Sequence, residues 1–276
     1  MRAILDSFLA HLDEVERNVG LVETLRALGA ASAPRSALRG PLGRAAGVAR
    51  RTIRAQRTWE TIALDGSLLY LCAQYEVAVR DLIEELVRLT CQKVAAYPDL
   101  PGDLRADNTR LIGELLRRGG ENPRDPTVDH VQVLKDLVQC HEVGAPVRLY
   151  FQGFSYHDRN LSPIVLKDLM GRAGVSDLWP HVAQDQHLQD CLESVGENAT
   201  EAAAKSKLSQ FISDRNAISH RGPSYQTVGP SVILDYVRFF RCLMPALVGA
   251  LESHLAEFGP RRAVRQRKKA TRVASS

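Results

Sequence analysis

Three side chains able to do acid–base and phosphate chemistry fall within six residues: Arg215, Asn216 and His220, in the run Ser213-Asp214-Arg215-Asn216-Ala217-Ile218-Ser219-His220-Arg221-Gly222-Pro223. Upstream, Ala204, Leu208, Phe211 and Ile212 form an apolar stripe of helical spacing, and Arg215 continues it four residues after Phe211. A guanidinium aimed at the packed side of a helix needs an anion, because burying it unpaired is very costly. A carboxylate of the protein would serve. So would a bound phosphate, and the sequence leaves both open.

Spacing limits how the three can act together. On an ideal helix Arg215 and His220 lie about 140° apart and about 7.5 Å along the axis, so they do not face one phosphate from a regular helix. Asn216 and His220, four apart, share a face. Gly222-Pro223 should end the helix and leave His220 at or near its last turn. Cleaving RNA through the 2′-hydroxyl needs a base for that hydroxyl, an acid for the leaving 5′-oxygen and a cation for the pentacoordinate phosphorus. One chain offers one imidazole here. Two copies about a two-fold axis offer two, so the motif makes more chemical sense in a dimer.

The elements that must position these residues read as helices. Hydrophobic content of 45% with 25% charged residues is ordinary for a globular chain, and 276 residues can bury a sizeable core. Runs of β-branched residues and Asn-Gly or Asp-Gly turns are scarce. The expected fold is all-α, an antiparallel helical bundle with short irregular insertions. Residues 3–28 read as an amphipathic helix, through Ile4, Phe8, Leu12, Val15, Val19, Val22 and Leu25. Residues 58–95 are apolar nearly all round in their first half, which places that helix at the centre of a bundle. Glu76 lies within it and is the expected carboxylate partner for Arg215. Tyr97 to Asn108 reads as a loop, 110–118 and 127–139 as helices, and 144–153 as a brief strand. Ser162 and Pro163 suit the cap and first position of a helix running to about Arg172 and stopping at Gly174. One short helix is expected between 175 and 198. The helix of Arg215 should begin near Thr200, as cap, and a last helix should follow Pro230, kinked at Pro245.

Charge is unevenly spread. Removing the seven basic residues of 261–276 leaves 29 Lys and Arg against 32 Asp and Glu. A basic tail beside a mildly acidic body fits contact with a polyanion such as RNA, or a disordered, solubilising end. A second basic stretch carries seven arginines from Arg35 to Arg57 with no acid. Arg51, Arg54 and Arg57 are its candidate nucleic-acid contacts, the other reading being a solvated helix face. The expected domains are an N-terminal helix and basic linker over 1–57 packing on the bundle, a helical domain over 58–258, and a basic disordered tail over 259–276.

The run Arg215-Asn216-Ala217-Ile218-Ser219-His220 resembles the Arg-polar-x-x-x-His signature of the HEPN superfamily, all-helical domains of which many are metal-independent, homodimeric ribonucleases. Of three Arg-Asn pairs in the chain, only Arg215-Asn216 has a histidine at this distance. Leu69-Tyr70-Leu71-Cys72-Ala73-Gln74-Tyr75-Glu76 is similar to the first core helix of the larger bacterial members. Asn160-Leu161-Ser162-Pro163 resembles their middle segment. The resemblance spans roughly residues 55–255. It departs where many members have Gly after the His and this chain has Arg221, an added cation. It implies His220 as general acid/base, Arg215 stabilising the phosphorane, and Asn216 orienting the His or the phosphate, with Glu76 and Arg221 supporting. It implies 2′,3′-cyclic phosphate and 5′-hydroxyl products, no metal and no cofactor. RNA, a second copy of the chain and an antitoxin or regulatory protein are the implied partners, in a toxin or anti-phage effector. The alternatives are a non-catalytic HEPN-like RNA- or nucleotide-binding module and a structural dimer scaffold.

Other constellations point less far. His181, His187 and Cys191 include a His-x-x-x-Cys pair of zinc-binding type, with no obvious second pair. Cys140-His141-Glu142 has only adjacency, and adjacent residues do not face each other on a helix. There is no P-loop or Gly-rich dinucleotide motif, which argues against a nucleoside triphosphatase. Five cysteines without a CxxC pair and no signal peptide fit a reduced, cytoplasmic setting. The most apolar window, Leu68 to Val79, is interrupted by Gln74 and Glu76, so no membrane contact is expected.

Overall fold

The computed structural model describes residues 1–30, 47–48, 51, 57–120, 127–142, 145–220 and 228–258. The long helices carry the fold. Helix α1 (Arg2–Ala30) packs mainly on α2 (Arg57–Gln92) and next on α10 (Pro230–Glu257). Its buried stripe is Leu5, Phe8, Leu12, Val15, Val19 and Val22, at spacings of three and four. Helix α2 is the central element, burying Leu64, Leu68, Leu71, Tyr75, Val79, Leu82, Ile83 and Leu86. Trp59–Gln92 is long enough to span a membrane and holds an 18-residue window with a mean hydropathy of 1.2, but half of that window is buried in the protein, as in a core helix. The interruption at Gln74 and Glu76 therefore excludes less than the sequence reading allowed.

Helix α9 (Glu197–Ser219) completes the central packing. Aromatic rings from four helices meet there. Phe211 of α9 stands 4.9 Å from Phe240 and 5.1 Å from Tyr236 of α10, and 6.3 Å from Tyr75 of α2. Phe8 of α1 closes on Phe240 at 6.0 Å. These edge-on pairs set the rotation of α9, and Arg215 lies one turn beyond Phe211. Across the outer side Arg241 of α10 donates to Asp13 and Glu16 of α1.

Shorter helices cover one end: α3 (Gly102–Arg117), α4 (His130–Gln139), α5 (Phe151–Ser155), α6 (Pro163–Arg172), α7 (Leu178–Ala183) and α8 (Gln186–Cys191). Among the described residues there are ten α-helices and no strand, so the all-α expectation holds. Ser162 caps α6, accepting from the Val165 N–H, and Gly174 at φ 95 ends the turn after it.

Several local expectations change. The region from Tyr97 to Asn108 is no loop. A 3₁₀ turn at Tyr97–Asp99 leads into α3, whose Leu104, Asn108, Leu111, Ile112 and Leu115 are buried at helical spacing. Residues 145–150 form no strand because side chains satisfy their backbone. Arg148 N–H donates to Cys140 Sγ at 3.2 Å, the same thiol donates to Arg148 O at 3.0 Å, and Tyr150 N–H donates to Asn108 Oδ1 at 2.9 Å. Two short helices, not one, lie between 175 and 198. Helix α9 begins at Glu197 after Gly196, which takes φ 85. Thr200 is fully buried inside its first turn and donates back to Gly196 O at 3.0 Å instead of capping. Helix α10 continues through Pro245. Most of the basic linker (31–46, 49–50 and 52–56) and the tail from 259 onward lie outside the described residues.

Candidate functional site

The motif occupies the last turn of α9. Ile218 is buried beyond Phe211 and Ile212, so the apolar stripe runs to the helix end with Arg215 on its border. The neighbouring carboxylate, Asp214, is directed away from Arg215. Its Oδ2 accepts from the Tyr236 hydroxyl at 2.5 Å and its Oδ1 from Gln210 Nε2 at 2.8 Å. The tyrosine bond pins the end of α9 to α10. With burial as the larger cause, it also drives the Tyr236 hydroxyl far above its ordinary ionisation range.

Arg215 is half-buried and turned toward α2 and Asn216. Nη1 donates to Asn216 Oδ1 at 3.3 Å. The guanidinium is also near enough to the buried Cys72 thiol to act on its ionisation: burial pushes the thiol up to about 11, the Glu76 charge pushes it the same way, and Arg215 opposes both. Glu76 and Arg215 therefore flank one thiol, yet no ion pair within 4.0 Å joins them among the described residues. This corrects the expected pairing. Cys72 and Glu76 are one turn apart on α2, about 6 Å along its axis. Among the described residues the guanidinium's hydrogen bond goes to Asn216, not to Glu76. The undescribed flank, 221–227, contains no Asp or Glu.

Asn216 is half-buried, and its Oδ1 accepts a second bond, from Asn160 Nδ2 at 2.7 Å. Asn160 stands just before α6, between the buried His157 and the fully buried Leu161. His157 Nδ1 lies 2.5 Å from Arg159 O, and Ser162 N–H donates to Asn160 O at 2.7 Å. His220 is the C-cap of α9, at φ −112 and ψ 38, with its N–H on Asn216 O at 3.0 Å. Its imidazole is exposed, and no described side chain hydrogen-bonds it. Asn216 and His220 thus share one face, as their spacing requires.

The other expected residues separate. Arg51 is exposed, while Arg54, the Arg57 side chain and Arg221 lie outside the described residues. His187 Nε2 sits 3.5 Å from Cys242 Sγ, and His181 Nδ1 contacts Asp177 O. Among the described residues no group of three or more His, Cys, Asp or Glu is arranged to hold a metal. Trp179 is core, its Nε1 donating to Pro163 O.

Sequence reasoning misses Cys72 and Asn160 as contributors. The signal for Asn160 is an Arg-Asn pair directly before a Ser-Pro helix start. Nothing in the sequence marks Cys72 except its place on the central helix beside Glu76.

The arrangement offers a phosphate three kinds of donor: free N–H groups of Arg215, the Asn216 Nδ2 and the His220 imidazole. A model of the family described as RiboL-PSP-HEPN matches residues 56–253. The match takes in α2 through most of α10 and leaves out α1. No curated protein and no solved structure matches the chain.

Proposed function

The chain belongs to the RiboL-PSP-HEPN family, a HEPN-type domain and so an RNase-type or nucleotide-binding module, and from that premise we propose that it is a metal-independent endoribonuclease acting as a homodimer. One observation carries the reading: Arg215 is a half-buried cation with neutral partners, beside an amide and an imidazole that share a face. A cation held this way lacks its anion, and an RNA phosphate supplies one.

In the proposed reaction the 2′-oxygen attacks the adjacent phosphorus and the P–O5′ bond breaks. One His220 takes the 2′-hydroxyl proton, and the His220 of a second chain gives a proton to the departing 5′-oxygen. Arg215 and the Asn216 amide stabilise the charge that builds on the phosphorane oxygens. The products are a 2′,3′-cyclic phosphate and a 5′-hydroxyl. Both imidazoles return to their starting states when the roles exchange.

A surface for the second chain adjoins the site. Ile62, Gly66, Leu69, Ala73 and Val77 of α2 are all exposed, Ile62 to 61%. They fall within an arc of about 80° on the helix, directly beside Glu76 and Cys72. An apolar strip bordering a site that lacks one imidazole favours a second copy as its occupant.

The test is cleavage of single-stranded RNA in EDTA by the wild type and by His220→Ala. Cleavage giving cyclic phosphate ends, abolished by the substitution, is the expected result. Cleavage that survives His220→Ala overturns the mechanism. RNA binding by an inactive wild type would favour a non-catalytic binding module.

A further inference from the structure

Asn216 can serve a phosphate only if its amide is turned the right way. An amide presents either oxygen or nitrogen to a given side, and the two orientations differ by a half-turn. Arg215 can only donate, so the Asn216 atom 3.3 Å from its Nη1 must be the carbonyl oxygen. That oxygen also lies 2.7 Å from the Asn160 side chain, which must therefore present its NH2 group. Two donors on one oxygen leave the Asn216 Nδ2 pointing away from both. Among the described residues it has no acceptor, and it shares the face of His220.

We infer that Asn160 is a positioning residue: it holds the Asn216 carbonyl inward so that the amide N–H groups face the scissile phosphate. The inference rests on the ribonuclease reading above for what the amide does, and on the hydrogen bonds alone for how it is held. Phosphate oxygens only accept, so a flipped Asn216 would set its carbonyl against them and repel. Arg215 alone holds the flip weakly, since its bond is long. Asn160 is the closer donor and comes from a rigid place. The buried His157 and Leu161 flank it in the chain, and Ser162, two residues on, caps α6. It reaches α9 from 56 residues away in sequence, so the motif is completed by a segment outside it.

Asn160→Asp is the same size and turns this donor into an acceptor. It withdraws the closer donor that holds the Asn216 carbonyl inward, and its carboxylate competes for the Asn216 NH2 group that would face the phosphate. Two measurements separate this inference from the ribonuclease reading. The first needs no activity: the Asn216 side-chain amide resonance, assigned by its loss in Asn216→Asp, is followed by NMR as inorganic phosphate is added. It should shift in the wild type, and the shift should be lost in Asn160→Asp. The second is kinetic. Asn160→Asp and Asn160→Ala should lower kcat by about tenfold or more with little change in KM, and Asn160→Ala should add nothing in an Asn216→Ala background. Asn160→Ala covers a folding failure of the Asp variant and, because it adds no carboxylate beside Arg215, must lose the phosphate shift as well; a shift kept in Asn160→Ala also overturns the inference. An unchanged phosphate response in Asn160→Asp overturns the inference, as does a full further loss in the Asn216→Ala background. A wild type that cleaves no RNA sinks the ribonuclease reading, while the NMR result still decides the role of Asn160.

Discussion

Arg215→Met isolates the charge at the centre of the site, because Met keeps an unbranched apolar stem and removes the guanidinium. The substitution removes one hydrogen bond, to Asn216 Oδ1 at 3.3 Å, and the charge that acts on the Cys72 thiol. That bond is long and contributes about 0.5–1 kcal/mol, and the thiol stays neutral without the guanidinium because burial already raises it. Neither leaves a stranded group, since Asn216 Oδ1 keeps its Asn160 bond. Relief from holding a half-buried cation offsets part of the loss. The net change in stability should be within about 1 kcal/mol, a shift in Tm of up to about 4 °C for a chain of this size. If Arg215 were half of a structural ion pair, the same change would strand a carboxylate and cost about 3–5 kcal/mol, or about 10 °C. Cleavage should fall by about 10²–10³-fold, the usual effect of removing one preorganised charge from a transition state. The assay is thermal unfolding with and without inorganic phosphate, beside RNA cleavage in EDTA. Phosphate should raise the wild-type Tm by mass action and leave the variant unmoved. A loss above about 3 kcal/mol, with equal phosphate effects on both proteins, would refute the reasoning and make Arg215 structural.

Leu69→Arg places a cation in the exposed strip of α2 and should yield a monomer by sedimentation, with cleavage lost; an active monomer removes the second chain from the mechanism. Mixing equal amounts of wild type and His220→Ala, with subunit exchange, leaves about one quarter of dimers with two imidazoles, so the rate should fall to about one quarter, whereas about one half would mean that chains act singly. Burial raises the folded Cys72 thiol to about 11 from 9.0. Its neutral form stabilises fully below the unfolded value and less as pH rises through the folded one, so Tm should drop between pH 9 and 11 less steeply in Cys72→Ala than in the wild type. Among the described residues the buried Tyr75 hydroxyl has no hydrogen-bond partner. Tyr75→Phe should therefore leave urea stability equal or higher by up to about 1 kcal/mol, and a clear loss would show that the hydroxyl is paired.

The sequence exposes the long helices because their apolar residues recur every three or four positions, as in Phe8, Leu12, Val15 and Val19. It exposes the motif because Arg215 interrupts such a pattern. It misleads where a local breaker belongs to a cap. Pro101 and Gly102 read as loop residues, yet Pro101 is the N-cap of α3 and Gly102 its first residue. It also misleads where side chains replace backbone partners. Cys140 and Asn108 take the hydrogen bonds that a strand at 145–150 would have needed, and no pattern within that stretch announces them. Glu76 illustrates a third limit. Its place beside Arg215 is legible from the helical face, but the direction of the guanidinium depends on Asn216 and Cys72 together. Asn160 shows the same limit from the other side: its link to Asn216 exists only once α6 is packed beside α9.

Among the described residues Arg215 has no carboxylate within ion-pair distance, and its surroundings show how the fold tolerates this. Asp214 is the adjacent carboxylate, and Tyr236 and Gln210 hold it elsewhere. Glu76 is the next, and it acts on the Cys72 thiol without forming an ion pair with Arg215 among the described residues. Neutral groups, an amide oxygen and a thiol, take the place that a carboxylate would otherwise fill. The cost of this choice stays bearable because Arg215 is only half-buried and keeps part of its hydration. A carboxylate in contact would stabilise the fold and cancel the field that a phosphate needs. On the dimer reading two such guanidiniums approach each other, and their repulsion opposes association until a polyanion lies between them. Substrate would then be part of what closes the site, and the same uncompensated charge would set both the affinity for RNA and the strength of the dimer.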